Sequence, residues 1–178
     1  MGNAKVKKQK TGALMSSWQV GVAAEAIAAA LFAMSGYDVS VQYGANQPEY
    51  DLMIARGEDV LKVSVKGSQD GSWGLCQSHL REANYHAAID TWMARHKPRT
   101  VLCLVQFKGA QVNEMPRVYL ATPQEIGKRL HETAKGRGDT ILYEQRTWTA
   151  KAHGAGTTEE VPVAWRFSPE RVAALLKQ

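Results

Sequence analysis

A chain of 178 residues is long enough for one domain with a substantial core, and 44% apolar with 22% charged residues is a soluble, globular composition rather than a disordered or fibrous one. The formal charge of +5 belongs mostly to one end, because Lys5, Lys7, Lys8 and Lys10 have no acid beside them. Cys76 and Cys103 stand alone without a CxxC partner, which excludes a disulfide framework or zinc knuckle and fits a reducing cytoplasm.

Residues 1–12 read as a basic flexible tail and 13–178 as a single domain. No segment approaches the ~18–20 apolar residues of a membrane span, so no membrane is expected as a partner. Inside the domain, residues 95–137 carry nine Lys/Arg against three acids, while 11–94 are net acidic.

The elements follow in order. Residues 17–35 form an Ala-rich helix that ends at Gly36. It is apolar all round and carries a lone ionisable side chain, Glu25. It therefore reads as a buried helix whose carboxylate needs a cationic partner. Strict alternation makes 37–43 a strand, 44–48 a turn, and 50–55 and 60–66 two strands joined through 56–59. After the loop of Gly67, Gly71 and Gly74, a helix is predicted over 79–95 with Ser78 as its N-cap. His79 and His86 fall on one face of it with Cys76 just before, a spacing that suggests a metal, but no carboxylate or second thiol completes a set, so they read as ordinary surface or cap residues. The wholly apolar stretch 100–107 is an interior strand.

Beyond it, 117–121 is a strand, and Thr122-Pro123-Gln124-Glu125 is a capping box opening a helix. A hairpin is expected over 140–167 around the 154–156 turn, and Ser168-Pro169 starts a last helix. Trp18, Trp92, Trp148 and Trp165 are packing residues. Trp73 either stacks on a base or folds onto the core.

The strand pair 50–55/60–66 contains the chemistry. Lys62, Ser64 and Lys66 share one face, and Leu61, Val63 and Val65 take the other. Any even-length turn pairs residues whose numbers add to an odd total, and opposed residues share a face. Asp51 therefore joins Ser64 and Lys66, with Glu49 beside it. A carboxylate, a hydroxyl and an amine gather at the end of the hairpin far from its turn.

A helix glutamate, then "YDLMI", then "VSVK" on the next strand resembles the PD-(D/E)XK nuclease superfamily, whose core runs helix, three strands, helix, strand. The resemblance covers about residues 15–108 and leaves 109–178 as a strand/helix extension. It is greatest to the Holliday-junction-resolvase and intron-encoded homing-endonuclease branch. It implies an α/β, restriction-endonuclease-like core with a mixed central sheet flanked by helices. It also implies a Mg²⁺-dependent endodeoxyribonuclease, with Mn²⁺ able to substitute.

By position, Asp51 resembles the metal-binding aspartate, Ser64-Val65-Lys66 the (D/E)XK triplet, and Glu25 the helix glutamate. The resemblance thus implies Asp51, Glu25 and the Val65 carbonyl as metal ligands, and Lys66 as the group that positions the attacking water. Ser64 stands in the catalytic carboxylate position. Glu49 and Gln69 are candidate supporting residues, and Ser68 and Lys62 candidate nucleic-acid contacts. DNA is the implied partner, and a homodimer fits cutting of two strands. Two departures stand out: the proline lies three places before Asp51, and Ser64 is a neutral hydroxyl where this hard cation favours a carboxylate. The alternative is a nuclease fold that has lost hydrolysis and serves as a DNA-binding or protein-interaction module.

Overall fold

The computed structural model describes residues 14–42 and 49–178. The basic tail, Tyr43 and the 44–48 turn lie outside the described residues. Among the described residues, nine strands and four α-helices run in the order α1 (Ser17–Met34), β1 (Asp38–Val41), β2 (Leu52–Arg56), β3 (Asp59–Ser68), β4 (Ser72–Gly74), α2 (Tyr85–Ala94), β5 (Thr100–Gln106), β6 (Arg117–Ala121), α3 (Pro123–Glu132), β7 (Ile141–Tyr143), β8 (Gln145–Thr147), β9 (Thr158–Glu160) and α4 (Pro169–Leu176).

The central sheet has five strands in the order β1-β2-β3-β5-β6, with β3 and β5 parallel and the other pairs antiparallel. It is the mixed sheet expected of a restriction-endonuclease-like core. Its helices divide by face. On one side, Ala24, Ala28 and Phe32 of α1 and Val172, Leu175 and Leu176 of α4 bury Leu52, Ile54, Leu61, Val63, Val65 and Val101. On the other, Ile89 and Trp92 of α2 and Ile126 and Leu130 of α3 pack on Leu102, Leu104, Tyr119 and Ala121. All seven residues of β5 are buried, as an interior strand requires.

Local chemistry sets the element ends. At α1, Ser16 Oγ accepts from Gln19 N–H, and the Gln19 side chain accepts from Ser16 N–H. At α3 the Thr122/Glu125 capping box forms both of its hydrogen bonds. The β2–β3 turn is the two-residue Gly57-Glu58, since Arg56 pairs with Asp59, and Gly57 takes the positive φ (63°) such a turn requires.

Three expectations are corrected. First, α1 is not buried all round: Val20, Ala24, Ala28 and Phe32 form one buried stripe, while Trp18 is 74% exposed. A helix lying on one sheet face contacts it along one stripe, and among the described residues nothing covers the outer side. Against the expectation that no segment approaches a membrane span, this helix is long and apolar enough for one, but here it lies on the sheet.

Second, α2 begins at Tyr85 with Asn84 as N-cap, not near His79. Glu82 and Ala83 adopt left-handed φ values of 48° and 55°, which no α-helix continues through, and 77–79 is a separate 3₁₀ turn. Third, the C-terminal hairpin is shorter than 140–167. Only β8 and β9 pair with each other, and β7 pairs with β4 instead.

Candidate active site

The hairpin register brings the site together. Residues of β2 and β3 pair as Leu52↔Val63, Met53↔Lys62 and Ile54↔Leu61. The same sum places Asp51 opposite Ser64, one step beyond the end of β2. Asp51 N–H still donates to the Val63 carbonyl (2.9 Å), but its side chain takes the next rung, Oδ2 accepting from Val65 N–H at 2.6 Å. The amide and carbonyl of one strand residue point to the same side. The Val65 carbonyl is therefore directed to the edge that β2 has vacated, beside the Asp51 carboxylate.

Glu25 approaches from α1. The contact that carries it there is close: a Cβ on Gly67 would lie 2.7 Å from Val20 Cγ1 and 2.9 Å from Ala24 Cβ, so glycine lets α1 settle onto the end of β3. Glu25 is half-buried and within electrostatic reach of both Asp51 and Lys66. Its carboxyl is held above the ordinary range, first by burial, then by the Asp51 charge, with Lys66 opposing. Lys66 itself is exposed, and its backbone is fixed from behind, because Trp73 Nε1 donates to its carbonyl (3.0 Å). Trp73 is 3% exposed; it is the core residue of the two alternatives, not a stacking platform.

Ser64 is 2% exposed and faces away from α1, on the side of Lys62 and Lys66. The oxygen groups at this corner are thus two carboxylates, the Val65 carbonyl and a neutral hydroxyl. Two carboxylates and a carbonyl suit a Mg²⁺ ion, which keeps several of its waters and takes few protein oxygens. The elevation of the Glu25 carboxyl is also what a divalent cation between the two carboxylates would relieve. Among the described residues no group of three or more His, Cys, Asp or Glu is set to hold a metal, so there is no closed protein cage.

A UPF0102 protein of Bartonella henselae is 32% identical to this chain over 100 residues, which make up 55% of the chain and 79% of the relative. The chain belongs to the UPF0102 family. No protein-family model matches it, and no solved structure does.

The remaining sequence candidates of this UPF0102 chain have structural employment. Glu49 Oε1 accepts from Lys97 N–H (2.7 Å) and Thr100 Oγ1 (3.0 Å), tying the segment before β2 to the start of β5. Burial works against its ionised form, but those hydrogen bonds together outweigh it and hold its carboxyl below the ordinary range. Gln69 clamps Met15 from both sides, Oε1 accepting from its N–H (3.0 Å) and Nε2 donating to its carbonyl (2.7 Å). Ser68 is buried and organises the following turn, donating to Asp70 Oδ1 and accepting from Ser72 N–H. Lys62 sits with its amine 5.7 Å from the Tyr50 ring centre.

One residue of the site escaped the sequence. His96, two residues beyond α2, packs edge-on against Trp92 (4.7 Å), and both its ring nitrogens are buried without a hydrogen-bond partner among the described residues. It lies within electrostatic reach of Glu49 and Lys66. Burial favours its neutral form against the pull of Glu49, and Lys66 and Arg95 reinforce burial. No spacing could have found it, because it arrives from α2 by tertiary packing alone.

Proposed function

We propose that this UPF0102 chain is a metal-dependent endonuclease of the PD-(D/E)XK type that hydrolyses DNA phosphodiester bonds at the open end of β3. The observation that carries the reading is the convergence there of Glu25, Asp51, the outward Val65 carbonyl and the exposed Lys66 amine. Glu25, Asp51 and the Val65 carbonyl would hold Mg²⁺. Bound there, the ion neutralises charge on the scissile phosphate and lowers the pKa of a bound water.

The protein groups do the rest. Asp51 is fixed by its bond to Val65 N–H, which locks the carboxylate before substrate arrives. Lys66 is exposed and held at its backbone by Trp73, so its amine can donate to the attacking water and to a phosphate oxygen as negative charge builds. The attacking water gives up a proton to solvent as its oxygen bonds to phosphorus, the P–O bond to the leaving sugar oxygen breaks, and that oxygen takes up a proton from solvent. At the same end of the sheet, Lys108, Arg117 and Arg166 line a groove, a path for flanking phosphates, although Arg117 is paired with Glu144 (2.6 Å). The test is cleavage of plasmid and oligonucleotide DNA with Mg²⁺ or Mn²⁺. Activity should vanish on chelation and in Lys66→Ala, and activity indifferent to both would remove the proposal.

Ser64 favours a second reading, a DNA-binding or protein-interaction module on the same fold, because a buried hydroxyl stands where a carboxylate ligand is expected. Calorimetry with Mn²⁺ separates the two: absence of binding at millimolar metal, with DNA still bound, favours the module.

A further inference from the structure

A second cluster lies away from the Asp51 corner, on the rim of the α2–α3 contact. His86 Nδ1 and His131 Nδ1 face each other at 2.7 Å, with ring centres 4.6 Å apart. The far nitrogen of each ring is already engaged: His86 Nε2 is 2.9 Å from the Gly136 carbonyl oxygen, and His131 Nε2 is 2.9 Å from Asp90 Oδ1. A carbonyl and an ionised carboxylate can only accept, so both Nε2 atoms carry hydrogen. Two neutral rings would then point lone pairs at one another across 2.7 Å. That arrangement is repulsive unless a cation, either a shared proton or a metal ion, lies between them.

Nothing in the arrangement disfavours the metal. Imidazoles that ligate metals donate their other N–H to a carboxylate or backbone carbonyl, which fixes the tautomer and aims the lone pair; here one ring has each kind of partner. The backbone beside His86 is shaped around it as well. Gly138 has φ +85°, and a Cβ there would press on Tyr85 Cβ (3.2 Å) and touch the His86 ring at ordinary contact distance (3.5 Å).

We propose that His86 and His131 form a binding site for one divalent transition-metal ion of the zinc class, ligated by the two Nδ1 atoms. Zn–N bonds of about 2.0–2.1 Å in a tetrahedron set the two nitrogens about 3.3 Å apart. The rings must therefore part by about 0.6 Å, a small rotation of side chains at the exposed rim. Imidazole nitrogen selects zinc, copper or nickel over Mg²⁺, so the site is chemically distinct from the oxygen donors at Asp51. Its protein ligands number two, leaving the other positions to water. Because α2 and α3 are separate in sequence, the ion would staple them together across the sheet face. This proposal does not depend on the nuclease reading.

The experiment is calorimetric titration of ZnSO₄ into the full chain, carrying no polyhistidine tag, at neutral pH. It is run on the wild type, Asp51→Asn, His86→Ala, His131→Ala and Asp90→Asn, with a thermal melt of each. One equivalent of Zn²⁺ should bind to the wild type and to Asp51→Asn alike. Binding should be lost in both histidine variants, and weakened about tenfold or more in Asp90→Asn. Zinc should raise the melting temperature only where it binds. Because His86 is exposed and His131 partly so, the variants should melt near the wild type without metal; should one fail to fold, the other carries the comparison. Zinc binding that is absent from the wild type, or unchanged in His86→Ala and His131→Ala, would overturn the proposal and leave a shared proton between the rings.

Discussion

The Asp51 carboxylate replaces a backbone rung: Oδ2 accepts from Val65 N–H at 2.6 Å at the step where β2 has run out. One side chain thus ends the strand pairing and stands at the candidate site. The two jobs separate by substitution. Asp51→Ala leaves the Val65 amide without its charged acceptor and should cost about 1.5–3 kcal/mol in denaturant unfolding. Asp51→Asn keeps an acceptor oxygen, so it should unfold within about 1 kcal/mol of the wild type while losing Mg²⁺ binding. Equal stability of the two variants would mean the bond is not what ends β2.

The pH dependence of stability should expose Glu25. A carboxyl held above its ordinary range binds its proton more tightly folded than unfolded. Its ionisation therefore costs stability as the pH rises through and beyond the unfolded carboxylate range. Without divalent ions, Glu25→Gln should melt above the wild type at pH 7–8 and match it below about pH 4. Millimolar Mg²⁺ should narrow the gap by stabilising the wild type. A Gln variant that melts lower than the wild type at neutral pH would contradict this.

Gly67 tests the approach of α1. In Gly67→Ala the new methyl meets Val20 and Ala24 at under 3 Å. Overpacking should cost about 1–3 kcal/mol, and the displaced helix should carry Glu25 away from Asp51. Metal affinity should fall with stability, whereas Val22→Ala, on the solvent-facing side of α1, should change neither.

Ser64→Glu separates the active site from the module. Ser64 is buried, so an added carboxylate without a cation should destabilise the chain by several kcal/mol. If the new side chain reaches the same ion as Asp51, Mg²⁺ should restore much of that loss and the metal needed for cleavage should drop. Loss of stability that Mg²⁺ does not touch would place position 64 outside the ion's reach.

Much of this was legible because it is local or periodic. Alternation fixed the faces of β3, and parity put Asp51 with Ser64 and Lys66 even though the turn proved to be Gly57-Glu58. The Thr122/Glu125 capping box needed only four residues. Tertiary choices were not legible. The partner of β7 is β4, seventy residues away, and the start of α2 depends on two left-handed residues, Glu82 and Ala83, that carry no glycine to announce them. Glu49 looked like a site carboxylate because it shares a face with Asp51; its binding to Lys97 and Thr100 is decided by the loop after α2. His96 is hidden for the same reason.

Lys66→Ala gives the most direct test of hydrolysis at this corner. The side chain is exposed and its backbone is held by Trp73, so the variant should fold, melt and bind Mg²⁺ as the wild type does. Cleavage should be followed on a panel of duplex, branched and single-stranded DNA. Wild type should cut at least one member in Mg²⁺, and Lys66→Ala should cut it about a hundredfold more slowly or not at all. Wild-type protein that cuts none of them, or Lys66→Ala that cuts at the wild-type rate, would contradict the assignment.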